Sequence, residues 1–290
     1  MTDPSVSIAD EDAVTSSSTA FRIALGLYVG VLVGGVAASV AATQQVSNAV
    51  LVGVFVGGLV TGILLGIVVA RLDDDLAIRL GRNRRRRALL YLPGIPGLLG
   101  AAAVASSWSP VASPLVATGS SLTVLVLGYV LGGIARTEYV EAVTGDEPIG
   151  TWEWTPPNGG KVDTLVALGW LSIAFINAVG GNWSATVVWL LIAAGWIVAG
   201  AIEGRWQTPW GADPEIRVYE NGFVKHRPFT KTFVPWDEVA HVRLHEDELV
   251  LDRRLFDVRL ERSELDELEA VRETIERTFE AAGADARSVP

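Results

Sequence analysis

The sequence predicts an α-helical transmembrane bundle of six helices followed by a small β+α domain, an antiparallel sheet or partly open barrel capped by one C-terminal helix. Three observations predict it. Half of the 290 residues are hydrophobic and the mean hydropathy is +0.36, with the long apolar runs confined to residues 21–202. That is more apolar than an ordinary soluble domain. The connections between those runs alternate between uncharged and charged, and residues 71–87 are rich in arginine. From Glu215 the apolar period drops to two, and after Ser263 it returns to three and four.

Residues 1–20 are polar, acidic and rich in Ser and Thr. They hold too little apolar surface to fold alone, so they are expected to form a disordered acidic tail. A secretory signal would begin with positive charge and place a small-residue cleavage site after a short apolar core, whereas this segment is negative and leads into a full-length apolar run. Crossing a bilayer takes about 20 apolar residues in a helix. Six stretches qualify: 21–42, 49–70, 88–107, 115–135, 163–181 and 183–202. Pro93 and Pro96 interrupt the start of the third and should kink it. Gly180-Gly181-Asn182 separates the last two.

The loops orient these spans. Residues 43–48, 108–114 and 181–182 carry no charge, whereas residues 71–87 hold seven arginines, among them Arg82, Arg84, Arg85, Arg86 and Arg87. Residues 136–162 add Arg136 and Lys161. Short basic loops stay in the cytoplasm, so the chain reads as a multi-pass protein of the cytoplasmic membrane with both termini cytoplasmic. The five arginines are its topology determinants. Membrane lipids are expected partners of the chain. Attraction of the arginines to anionic lipid would be worth about 1 kcal/mol per basic residue at ordinary ionic strength, but in molar salt mainly direct phosphate contacts would remain, and orientation is the reading kept for this run. Nucleic acid is not expected: the run lies between two spans, and the chain as a whole has formal net charge −10.

Within the six spans no Asp, Glu, Lys, Arg or His lies away from the ends. This argues against a proton relay, but not against a channel or carrier built from carbonyls and hydroxyls. Glycine is conspicuous instead: Gly26, Gly30 and Gly34 in the first span, and Gly53, Gly57, Gly58, Gly62 and Gly66 in the second. Spacing by four places small residues on one face and lets backbones approach. Packing within one subunit is the first expectation and a homo-oligomer face the second. Trp108 and Trp183 fit an outer aromatic belt, and Trp152, Trp154, Trp206 and Trp210 an inner one.

Residues 203–214 form a linker to a domain over 215–282, with 283–290 as a tail. In that domain Ile216 and Val218 alternate with charged neighbours, and Asn221-Gly222 suits a type I′ hairpin turn. Ala240, Val242 and Leu244 are expected to face inward, opposite His241, Arg243 and His245. Leu249, Leu251, Phe256, Val258 and Leu260 continue the pattern around a turn at Asp252–Arg254, giving about six short antiparallel strands. Ser263 and Asp266 have capping-box spacing. Leu265, Leu268, Val271, Ile275 and Phe279 form the stripe of an amphipathic helix that Gly283 should end.

The strand meander closed by one helix, together with the segment FVPWDEVAHVRL, resembles the pleckstrin-homology-like domains of prokaryotic membrane proteins over about residues 213–282. Those families usually join the domain to fewer spans. With only Lys161, Lys225 and Lys231 against 20 arginines and 33 carboxylates, the chain further resembles haloarchaeal multi-pass membrane proteins. The resemblance implies a binding module, scaffolding or regulatory in role. Basic residues in an early loop, here Lys225, His226, Arg227 and Lys231, would then contact an anionic lipid or a protein partner. Against this, residues 203–290 hold 13 basic and 20 acidic residues, and a solvated edge accounts equally for a short charge cluster.

No phosphate-binding glycine loop, GxSxG or HExxH occurs, and there is no cysteine. No catalytic residue, metal site or cofactor is therefore expected. His241 and His245 lie four apart on a strand, about 13 Å, too far to share a zinc ion. Asp73–Asp75 should pair locally with Arg71 or Arg79. A transporter or channel with a regulatory soluble domain is the alternative. An enzyme using Glu138, Glu141, Asp146, Glu147 and Glu153 of the 136–162 loop is a third reading.

Overall fold

The computed structural model describes residues 5–99, 113–144, 147–156, 160–206, 211–245, 247–253, 257–265 and 267–288. The chain divides into two compact units, residues 1–139 with 162–199, and residues 140–161 with 200–290.

The first unit is helical. Helix α1 spans Ser5–Ala42 and α2 spans Asn48–Leu72. The acidic stretch expected as a tail thus continues the backbone of α1 from Ser5. Ser47 caps α2 by accepting a bond from Val50 N. The two helices run antiparallel and interlock through glycine. A Cβ on Gly58 would stand 2.7 Å from the Gly34 Cα, one on Gly62 2.7 Å from the Gly30 Cα, and one on Gly66 2.8 Å from the Gly26 Cα. Gly53 and Gly57, expected on the same face, have open space where a Cβ would project. The reason is helical pitch: the step from Gly57 to Gly58 turns the stripe by about 100°.

Two short helices follow, α3 (Leu76–Arg82) and α4 (Arg84–Leu89); residues 90–93 turn, and residues 94–99, Pro96 among them, are helical. The span expected from 88 is thus broken by the turn at 90–93, where Pro93 cannot continue a helix; residues 100–107 of it lie outside the described residues, as do Trp108 and Trp210. Helices α5 (Ser113–Val143), α6 (Gly160–Val179) and α7 (Trp183–Ile202) follow, with one short strand between α5 and α6. Gly181 takes φ +73° at the tight turn, and Asn182 caps α7 by accepting from Ala185 N at 3.2 Å. Trp170 and Trp189 stack at 5.3 Å. Among the described residues five helices are long and apolar enough to cross a membrane: Thr19–Ala42, Asn48–Leu72, Val116–Val143, Lys161–Val179 and Trp183–Ile202.

The second unit is built of two antiparallel sheets and a final helix. Strands β1 (Gly150–Glu153), β2 (Glu215–Tyr219), β3 (Gly222–His226) and β4 (Lys231–Pro235) pair in that order. Strands β5 (Val239–Leu244), β6 (Glu248–Arg253) and β7 (Val258–Glu261) form the second sheet. Helix α8 (Leu268–Ser288) buries Leu268, Val271 and Ile275 against both, with Phe223, Val234, Leu249, Leu251 and Leu260.

Several local expectations are corrected. The β2–β3 turn is Glu220-Asn221, and neither residue has positive φ, so it is not type I′. Gly222 is needed for space: a Cβ there would stand 2.6 Å from the Phe233 ring. Ala240 is exposed because a β-bulge between Val239 and His241 inserts it as an extra residue. Asp252 and Arg253 extend β6, which carries the turn later than expected; Phe256 lies outside the described residues. Ser263 sits in a single 3-10 turn and donates to Glu261 Oε2 at 3.3 Å, making no capping box. Asp266 is outside the described residues. Gly283 does not end α8, which continues to Ser288, because the surrounding alanines favour helix.

Candidate functional site

The largest departure from sequence expectation is β1. The 144–160 connection between α5 and α6 supplies this strand to the second unit, pairing Trp152 with Ile216 and Glu153 with Glu215. Ile149 N donates to Val218 O at 2.8 Å, and Trp154 N to Pro214 O at 3.0 Å. Strand alternation turns Trp152 and Trp154 toward the core, and Trp154 is only 3% exposed. These two tryptophans are core residues, not members of an aromatic belt.

Trp154 organises a charged site. Its Nε1 donates to Glu264 Oε2 at 2.9 Å, and Glu264 is itself buried. Lys225 Nζ lies 5.0 Å from the Trp154 ring centroid, and Arg227 Cζ lies 5.7 Å from it. Both cations are within cation–π range of one indole. Lys225 Nζ also donates to Arg259 O at 3.3 Å. Arg227 Nε is buried without a hydrogen-bond partner. Burial pushes the Lys225 amine down to about 8, the Arg227 charge pushes the same way, and Glu264 opposes both.

The same alternation splits the four basic residues expected to act together. Lys225 and Arg227, two apart, reach Trp154. His226 and Lys231 are register partners on the opposite face of the sheet. There His226 Nδ1 lies 3.1 Å from Glu215 Oε1, and Lys231 Nζ donates to Glu141 Oε1 at 2.8 Å. Burial and the Lys231 charge both lower the His226 pKa, which favours the neutral ring. The structure thus brings together Lys225 and Arg227, and joins to them Trp154 and Glu264, which sequence reasoning missed. The signal for Trp154 was present in TWEW: two tryptophans flanking a glutamate have the period of a strand. His241 and His245 are exposed on β5 and just beyond it. Glu138 and Glu141, expected in a 136–162 loop, lie in α5, which continues to Val143; Glu141 is taken up by Lys231, and Asp146 lies outside the described residues.

Chemically the site is an excess of desolvated positive charge: two cations, one carboxylate and an aromatic face. It suits an anionic group. No protein family, no curated protein and no solved structure matches the chain.

Proposed function

We propose that the chain is an integral protein of the cytoplasmic membrane whose C-terminal strand-and-helix unit is a pleckstrin-homology-like binding module, cytoplasmic like both termini, scaffolding or regulatory in role and without chemistry of its own. The observation that carries this reading is the convergence of Lys225 and Arg227 on Trp154. Two like charges held together on a buried ring are relieved by an incoming anion, and an acidic segment of a protein partner supplies one. Immunoprecipitation of the full chain from mild detergent tests it. Defined partners are expected with the wild type and are lost with K225Q/R227Q. Recovery of none, or of the same set with the variant, counts against a binding role for this face.

The second reading, a transporter or channel, draws on a cavity of about 240 Å³ between α1, α5 and residues 93–97, where Ser39, Ser120 and Ser121 contribute hydroxyls. Solute flux in proteoliposomes above that of empty vesicles, abolished by S120L, is its expected signature.

A further inference from the structure

The arginine-rich joint of α3 and α4 has a property beyond orientation. Two of its nearby carboxylates are engaged by other cations: Asp73 pairs with Arg79, and Asp74 with Arg22 at 3.3 Å. Arg87 turns inward and donates to the Gly81 carbonyl. Arg82, Arg84, Arg85 and Arg86 remain exposed. Among the described residues Arg82, Arg85 and Arg86 make no ion pair.

The joint is also a built feature. Asn83 Oδ1 accepts from Arg85 N at 2.9 Å. Gly81 is buried against α5, where any Cβ would collide with the Ala135 carbonyl. Tyr28 donates to Leu90 O at 2.8 Å. These contacts fix the joint beside Arg22 and Arg136, the ionisable residues that bound the apolar parts of α1 and α5. The backbone that carries three guanidinium groups is therefore fixed at the polar edge of the helices, and among the described residues these groups have no ion-pair partner. A guanidinium fork matches two oxygens of a phosphate.

We infer that Arg82, Arg85 and Arg86 form a phosphate-binding rim for anionic phospholipid headgroups of the adjoining leaflet. The inference rests on the membrane reading. It is tested by native mass spectrometry of the full-length protein taken from membranes of mixed phosphatidylglycerol and phosphatidylcholine. The wild type retains phosphatidylglycerol preferentially. Each arginine contributes about fivefold at ordinary ionic strength, so R82Q/R85Q/R86Q retains it on the order of 100-fold less strongly. A reporter fused after Arg87 verifies that the variant keeps its orientation. If the triple variant fails to insert, R85Q and R86Q serve singly, each with about a fivefold loss. Excess inorganic phosphate leaves the lipid bound if the leaflet is the source of the phosphate. Displacement by phosphate, equal retention of the two lipids by the wild type, or undiminished retention by a correctly oriented variant overturns the inference. Recovery of the wild-type chain in the soluble fraction defeats the membrane reading itself.

Discussion

Lys225 shows what a single residue reports in this fold. Its amine is held down to about 8 against an ordinary 10.5, so the folded chain binds fewer protons than the unfolded chain between those values. The destabilising cost of the buried charge is fully present below about pH 8 and is relieved as pH rises toward 10.5. Stability should therefore rise across that window in wild type and stay flatter in K225M, which keeps the stem and removes the charge; thermal unfolding at stepped pH measures this. Glycine offers a second contrast. G62V must displace the Gly30 backbone of α1 and is expected to cost about 1–3 kcal/mol, whereas G57V projects into open space and should leave the melting temperature unchanged. The sequence displays the nine glycines of the two helices, but not which of those on α2 face α1. That division depends on where α1 lies, which a four-residue repeat does not encode.

At the scale of elements, the two sheets were legible where alternation was regular and illegible where it was interrupted. β2 and β7 follow the period of two that marks them in the sequence, whereas β3 and β6 bury three successive residues, Gly222–Val224 and Leu249–Leu251. β5 breaks it at the Ala240 bulge, and the bulge has no local signature because it answers to the register with β6. β1 was hidden for another reason: a four-residue strand flanked by Pro148 and Pro156 reads as loop until its partner is known. The candidate site inherits this limit. Lys225 and Arg227 were visible as a charge cluster, but Trp154 and Glu264 reach it from segments far away in sequence. The clearest test concerns β1 itself. A fragment of residues 200–290 leaves the outer edge of β2 unpaired and removes Trp154 from the core. It should aggregate or unfold without cooperativity, while the same fragment with residues 147–156 linked ahead of it should melt in one transition, as followed by circular dichroism. W154A in the full chain is expected to lose about 3–5 kcal/mol and, with the ring gone, to weaken the hold on both cations.

For the whole molecule, the division into an apolar helical part and a polar sheet-and-helix part was plain from hydropathy alone. Its boundary was not, since the second unit takes residues 140–161 as well as 200–290. A reporter placed after Arg87 and another after Pro290 should give the same cytoplasmic signal; opposite signals would overturn the orientation argued from the basic loops. The interruption of the second unit by α6 and α7 also sets an order of biogenesis. β1 leaves the ribosome before α6, and its partner β2 only after α7. Until then its tryptophans have no sheet to enter. Completion of the module is therefore a timer on synthesis: it registers that the last two apolar helices have already been made, and a chain stalled before β2 keeps an unmatched strand and two exposed indoles, a form that quality-control proteases can recognise.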